Sequence, residues 1–406
     1  YLGTGAIVGV SHGGVAGGLT LSLGLDRFGR VADQAWTVGS TGVDEYLYTY
    51  DVSGNRTSRA NVLNADLDEV YGYDGLNRLT STQRGGQAYQ SWTLDALGNW
   101  DGFTDQGDEQ TREQNAANEI TSISGQASPV YDQAGNMIFD GRLAYTYDAW
   151  NRMVSASTCT VQVVDGHATY DVGPPAARYE YDGRGYRVAK QTALHADEAN
   201  PHITTGYDRT DYYYNANWQV VEERTASNVD ARLKHCQLGA TVAAERTTTR
   251  YAWDVRYIDS PVARLRDANG DAGQPGSDGL EETLYYTTDA NMNVTALVSA
   301  GGAVVERYSY MSYGGVTVMN GDWENRTEST YHNELLFCGY RLNPETGTYH
   351  VRAREYDPAL GTWKQRDPEG FIDGMNGTAY CGADPVNRVD SMGLDDQMGP
   401  LERLWP

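Results

Sequence analysis

The chain has 406 residues and a formal net charge of −24, which disfavours nucleic-acid binding because phosphate backbones require a basic surface. No apolar run approaches the length that spans a membrane. The four cysteines form no C-x-x-C pair and the seven histidines lack ligand spacing, so the sequence predicts neither a metal site nor a cofactor.

The composition also indicates the fold class. Tyrosine occurs 30 times against 5 phenylalanines, and a core built on tyrosine must give its hydroxyl groups partners or water. The 46 glycines suit many tight turns, and long patterns with helical spacing are nearly absent. We therefore expect an all-β protein.

The N-terminal segment, residues 1–45, is rich in glycine and contains a degenerate first repeat at Leu25–Val31. It begins with Tyr and lacks the basic region of a signal peptide, so we expect a processed product or a piece of a longer chain. Its apolar residues require burial, either against the chain's own wall or against a neighbouring subunit, and the second alternative predicts a polymer. These residues are Leu2, Ile7, Val8, Val10 and Val15.

A repeated unit organises residues 46–333. Its clearest copy, Tyr48–Arg56, alternates tyrosines with polar residues and continues as Asp-x-x-Gly-Asn, which predicts a strand, a tight turn and a second strand. The unit recurs about every 20 residues, a period typical of repeat architectures. Because one hairpin cannot bury its aromatic face alone, we expect the copies to stack as antiparallel hairpins in a spiralling, curved sheet. Further copies begin at Tyr71, Trp92, Tyr131, Tyr145 and Tyr179, and variants follow at Tyr212, Tyr251, Tyr285 and Tyr308.

These units resemble the tyrosine-aspartate (YD) repeats of the RHS family, which includes bacterial polymorphic toxins, the C components of insecticidal toxin complexes and the animal teneurins. Residues 334–394 are similar to the RHS-associated core, with Arg366-Asp367-Pro368 inside the block and Pro385–Leu394 as its closing motif. Ser391 stands where the family's closing motif has a proline, and we expect this change to loosen the turn. Residues 395–406 form a short tail.

The resemblance implies a hollow spiral of hairpins closed by the core and, in toxin-bearing members, an intramolecular aspartyl protease that cuts after the final leucine. Carried onto this sequence, Arg366, Asp367 and Asp390 are the candidate catalytic residues. The bond between Leu394 and Asp395 is the candidate cleavage site. Paired carboxylates suit this chemistry, since one activates water while the other donates a proton. The alternative role of Asp367 is to cap a turn before its proline.

The cysteines bear on the cellular location. An exported chain is expected to hold disulfides, and Cys338 and Cys381 are then the expected pair because both lie in the compact core block. Buried thiols are the alternative interpretation.

Three functions follow from these observations. The first is an extracellular structural protein, secreted or on the cell surface, that forms a shell, tube or filament by self-association or with the remainder of a longer chain. The second is a toxin-delivery cocoon with aspartyl autoproteolysis at its core. The third is a module that binds a cell surface or a surface glycan, which would need exposed Tyr and Trp rings on a concave sheet.

Overall fold

The computed structural model describes residues 7–164, 167–197, 200–230, 246–270, 279–394 and 397–398. Within these ranges the chain is built of antiparallel strands, and its helical elements are short 3₁₀ helices at Ala65–Leu67, Phe337–Gly339 and Cys381–Ala383. The all-β prediction is therefore confirmed. No helix in the described ranges is long and apolar enough to cross a membrane.

Two large sheets follow one another along the chain, and in each the strands lie in sequence order. The first sheet has 11 strands and the second has 15, whereas the repeat pattern of the sequence predicts one continuous array. The division falls between Ile123 and Val130, where a Gly- and Ser-containing stretch that ends in Pro129 interrupts the pairing.

The strands of the first sheet are β1 Gly9–His12, β2 Leu19–Leu25, β3 Val31–Val38, β4 Thr41–Tyr50, β5 Arg56–Asn61, β6 Glu69–Tyr73, β7 Leu79–Arg84, β8 Gln87–Leu94, β9 Trp100–Asp105, β10 Asp108–Gln114 and β11 Ile120–Ile123. Those of the second are β12 Val130–Tyr131, β13 Met137–Phe139, β14 Leu143–Tyr147, β15 Met153–Val164, β16 His167–Tyr181, β17 Arg187–Asp197, β18 Asn200–Tyr214, β19 Val220–Asp230, β20 Arg246–Trp253, β21 Pro261–Arg266, β22 Glu282–Thr288, β23 Val294–Ser299, β24 Val304–Tyr310, β25 Val316–Asn320 and β26 Asn325–Arg326.

A C-terminal block of shorter strands follows the two sheets. Four of its strands form a small sheet, and two more form a separate pair. The small sheet contains β27 Arg341–Asn343, β28 Thr348–Val351, β29 Arg354–Asp357 and β30 Thr362–Trp363, and the pair contains β31 Arg388–Val389 and β32 Gln397–Met398.

The Asp-x-x-Gly-Asn turns close one end of the hairpins. In the clearest copy, Asp51 Oδ1 accepts hydrogen bonds from the backbone N–H groups of Ser53 and Asn55, each at 2.9 Å, while Gly54 takes a φ of +94°. This left-handed backbone favours Gly or Asn at the position. Tyr50 ends β4 and Arg56 begins β5, as the sequence predicts. The same carboxylate cap recurs at Asp74, Asp95, Asp132, Asp148, Asp182 and Asp289.

Neighbouring turns are joined by the side chain at the fourth position after this Asp. An arginine there pairs with its own Asp and also donates to the backbone of the next turn, as Arg78 Nη1 does to Asp95 O at 2.6 Å. An asparagine there donates to the next turn's asparagine, as Asn55 Nδ2 does to Asn77 Oδ1 at 2.9 Å. The turn residues therefore fasten each repeat to the next one.

The second tyrosine of the repeat joins adjacent repeats in another way. Its hydroxyl donates a hydrogen bond of 2.6–2.8 Å to the backbone carbonyl of the fifth residue after the preceding repeat's Asp. Phenylalanine cannot make this bond, which explains why this position of the repeat holds a tyrosine. The pairs are Tyr50 with Val31, Tyr73 with Arg56, Tyr147 with Met137, Tyr181 with Met153, Tyr214 with Arg187, and Tyr310 with Val294.

The main hydrophobic core lies between the two sheets and is filled by the C-terminal block. Its largest cluster combines Trp100 of the first sheet and Tyr310 of the second with Phe337, Tyr356 and Trp363 of the block. All five side chains are buried. The block thus supplies the apolar surface against which the inner faces of both sheets pack.

The two sheets also contact each other directly. Arg59 Nη1 of β5 pairs with Asp289 Oδ2 at 3.1 Å, and Trp36 Nε1 of β3 donates to Thr288 O of β22 at 2.9 Å. Arg59 and Asp289 are both buried, so this ion pair holds the sheets together in a dry environment.

The N-terminal arm packs on the second sheet. Val15 is buried and Val8 and Val10 are partly buried in a cluster with Met292 and Val298. This is burial against the chain's own wall, the first of the two alternatives, and the contact with a neighbouring subunit stays a prediction. Residues 1–6, which include Leu2 of that prediction, lie outside the described residues.

Candidate functional site

Two of the three predicted catalytic residues come together around an arginine of β29. The guanidinium nitrogen Nη2 of Arg354 lies 2.9 Å from Asp367 Oδ2 and 3.1 Å from Asp390 Oδ2. Its plane is further held by a cation–π contact, 4.2 Å from the centre of the Trp363 ring. Long-range folding therefore places both predicted carboxylates on one cation.

Asp390 lies directly beside the predicted cleavage site. Its Oδ1 accepts a hydrogen bond of 2.9 Å from the backbone N–H of Leu394, and Arg354 Nε donates to the Gly393 carbonyl at 2.6 Å. Burial raises the pKa of Asp390 to about 6, although the Arg354 charge opposes this shift. A carboxyl group with this pKa holds a proton for part of the time near neutral pH.

Asp367 caps its own turn and also pairs with the arginine. Its Oδ1 accepts a hydrogen bond of 2.7 Å from the backbone N–H of Glu369, which is the turn cap, while its Oδ2 pairs with Arg354. Unlike the fully buried Asp390, Asp367 lines a surface cavity of about 220 Å³, enough for several waters.

The structure places the third predicted residue, Arg366, away from this pair. Its side chain is 43% exposed and forms an ion pair of 2.5 Å with Glu119 of the first sheet, beside Gly135. Arg354, rather than Arg366, contacts the two carboxylates, and a catalytic role of Arg366 stays a prediction. The sequence gives only a weak indication of Arg354. It is an arginine within a strand that is otherwise expected to be buried, and a buried charge requires a partner.

Glycine and a second arginine hold the turn before the cleavage site. Gly393 has a φ of +66°, and a Cβ there would lie 2.5 Å from the Val351 carbonyl, so the position requires glycine. Arg352 donates to the Ser391 carbonyl and forms a bidentate ion pair with Asp259 at 2.6 and 2.9 Å. These contacts hold the turn although it lacks the proline of the family motif. Asp395 lies outside the described residues.

The structure does not form the predicted disulfide between Cys338 and Cys381. Each residue is a buried thiol in its own tight turn, with a φ of +50°. Cys338 Sγ lies 3.8 Å from the Tyr380 hydroxyl. In the part of the chain that the structure describes, no three His, Cys, Asp or Glu side chains are grouped as metal ligands.

Comparison with known proteins found no matching family model. The chain is 26% identical to the tRNA nuclease WapA of Bacillus subtilis strain 168 over 331 residues, which cover 79% of this chain and 12% of that protein. It is 24% identical to the toxin subunit YenC1 of Yersinia entomophaga over 284 residues, which cover 65% of this chain and 28% of that protein. The chain thus spans less than a third of the length of each of these relatives.

A solved structure shares the fold. It is the Tc holotoxin pore of Photorhabdus luminescens with a point mutation in its TccC3 component, and it matches 94% of this chain and 18% of its own with a TM-score of 0.69 and 15% identity. Bacterial toxin proteins are therefore among the relatives of this chain, and its fold is that of a Tc toxin component.

Proposed function

We propose that the chain is the closing part of a secreted, toxin-type β-sheet shell, and that its C-terminal block cleaves the chain after Leu394. The observation that carries the proposal is the pairing of Asp367 and Asp390 on Arg354, directly beside Leu394. The similarity to bacterial toxin proteins supports the role in toxin delivery.

Contacts between the block and the wall support the closing role. Arg187 of β17 is completely buried and pairs with Glu355 of β29 at 2.5 Å. Tyr349 Oη of β28 donates to Gly314 O of the second sheet at 2.9 Å. Breaking a buried ion pair of this kind costs about 3–5 kcal/mol, so the block is firmly held inside the wall.

The different surroundings of the two aspartates suit different tasks in peptide hydrolysis. Asp367 lines the cavity that admits water, so its carboxylate is the base that activates the attacking water. Asp390 is buried, has a raised pKa and touches the Leu394 backbone, so its protonated form is the acid for the departing amine. Arg354 contacts both carboxylates and the Gly393 carbonyl, and it therefore holds all three in fixed relative positions.

Intact mass spectrometry of the purified chain tests this proposal. We expect a product ending at Leu394 in the wild type, and a rate that is lower by roughly 10²- to 10⁴-fold in Asp367→Asn and Asp390→Asn. Asp148→Asn is the matched control, because Asp148 also caps a turn and pairs with an arginine, Arg152 at 2.6 Å, but lies in a repeat turn. Equal cleavage in all four proteins would refute the catalytic roles.

The pH dependence gives a second measurement. Because Asp390 must hold its proton and its pKa is about 6, we expect cleavage to slow as the pH rises from 6 to 8. A rate that rises over this interval would contradict the assignment of Asp390 as the acid.

A purely structural wall is the second candidate function, and the turn cap made by Asp367 favours it because that role requires no chemistry. A chain whose Leu394–Asp395 bond stays intact on prolonged incubation would support it. The glycan-binding hypothesis gains no support from the repeat tyrosines, since Tyr48, Tyr71, Tyr145 and Tyr179 are buried.

A further inference from the structure

The cavity beside Asp367 has a distinct construction, and we call it the turn cavity. It has a volume of about 220 Å³ and lies between two adjacent repeat turns and the loop that follows Asp367. Its floor includes Arg354 and Asp367, and its walls include Leu76, Leu97 and Met375. It therefore joins Asp367 and Arg354 to a solvent-facing opening with large apolar side chains at its edge.

The opening of the turn cavity exposes large apolar side chains. Leu76 is 68% exposed, Leu97 is 44% exposed and Met375 is 64% exposed. Phe371 and Ile372 of the same loop are similarly exposed. Grouped exposed apolar residues mark a surface that another polypeptide or ligand covers.

The two leucines occupy the same position in successive repeats, two residues after the capping Asp. The corresponding residues of other repeats vary: Ser53, Ala134 and Arg184 are small or charged, whereas Phe28 and Trp150 are large, apolar and exposed. The turn itself requires no particular side chain there, because the cap uses the Asp side chain and the backbone. The two leucines are distinguished by their place, since they lie on adjacent turns and both line this cavity.

The cavity wall also leaves peptide backbone uncovered. Glycines are unusually frequent in it, and a residue without a side chain lets an extended chain approach the backbone closely. The glycines that line the cavity are Gly98, Gly370, Gly374, Gly377 and Gly382.

The chain itself supplies the polypeptide that this surface fits. Gln397 of β32 pairs with Val389 of β31, the neighbour of Asp390, so the chain returns to the site after Leu394. The sequence beyond Met398 is Gly-Pro-Leu-Glu-Arg-Leu-Trp-Pro, and these eight residues lie outside the described residues. They span up to about 26 Å when extended, and they carry three large apolar side chains. These are Leu401, Leu404 and Trp405.

We propose that the turn cavity binds the polypeptide beyond Met398, with a large apolar side chain between Leu76, Leu97 and Met375. This inference rests on the proposed function, for which it supplies the recognition of the downstream chain. Binding there holds the segment after the Leu394–Asp395 bond while Asp367 and Asp390 act on the bond. It also retains the released segment at the wall after cleavage.

Photo-crosslinking of the full chain tests the contact directly. A benzoylphenylalanine at position 97 should crosslink to residues 399–406, identified by peptide mass mapping. The matched control is the same residue at position 150, since Trp150 occupies the same turn position in another repeat and is 75% exposed. Absence of a crosslink from position 97 to residues 399–406, or an equal crosslink from position 150, would overturn the proposal.

Cleavage kinetics provide the second measurement. Leu97→Asp should slow the appearance of the product ending at Leu394 by roughly tenfold, because a charge replaces an apolar contact, while Trp150→Asp should leave the rate unchanged. Equal rates for these two variants, with Asp367→Asn inactive, would refute the cavity's role and leave the proposed function standing. If the bond stays intact in every variant, the proposed function fails, and the crosslink alone decides whether the cavity binds this segment.

Discussion

The hydroxyl of Tyr310 offers a sharp test of the bonds between repeats. Tyr310 is 4% exposed, and its hydroxyl donates to the Val294 carbonyl at 2.6 Å. Tyr310→Phe keeps the ring, including its contact with Phe337 at 6.0 Å between centroids, and removes only the donor. Because the carbonyl loses a partner in a buried setting, we expect the free energy of unfolding to fall by about 1–3 kcal/mol.

Urea unfolding followed by tyrosine and tryptophan fluorescence measures this change. The midpoint should fall while the slope of the transition stays constant, since the buried area is unchanged. Tyr213→Phe is the control because Tyr213 is 43% exposed, and its effect should stay within about 0.5 kcal/mol. If Tyr310→Phe is as neutral as this control, the tyrosine hydroxyls do not fasten one repeat to the next.

Two further predictions concern buried charges. Burial raises the pKa of Asp44 to about 6, so the folded state binds an extra proton between about pH 4 and 6, and stability should fall as the pH rises through this window. Asp390 acts in the same direction, and Asp44→Asn should make the fall in stability over this window smaller in pH-dependent urea unfolding. Arg187→Met should cost about 3–5 kcal/mol by removing the arginine that balances the buried Glu355 charge, and Glu355→Gln in the same chain should restore part of the loss measured by thermal unfolding.

Local features of the fold were predictable because they depend on neighbouring residues. Asp51 caps its own turn, Gly54 takes the left-handed backbone and Tyr50 ends its strand, and each of these follows from a few residues of sequence. The long-range partners were not predictable in this way. The acceptor of the Tyr310 hydroxyl, for example, lies in the preceding repeat, and only the register of the sheet defines it.

The candidate site shows the same limit. Arg366, Asp367 and Asp390 were all identified through the family resemblance. In the structure Arg366 pairs with Glu119, whereas Arg354 of β29 contacts Asp367 and Asp390. Sequence alone cannot assign a side chain to one face of a short strand whose neighbours are both buried and charged.

The backward reach of the tyrosine hydroxyls bears on how the chain matures as it is synthesised. Each new hairpin finds its acceptor in a hairpin that has already emerged, so the wall can lengthen from its N-terminal end without waiting for later residues. The inner aromatic surface differs, because Phe337, Tyr356 and Trp363 emerge only after both sheets. We therefore expect a ribosome-stalled chain that ends before residue 335 to have ordered hairpins with an exposed apolar inner face that binds chaperones, and synthesis of residues 335–394 to bury that face.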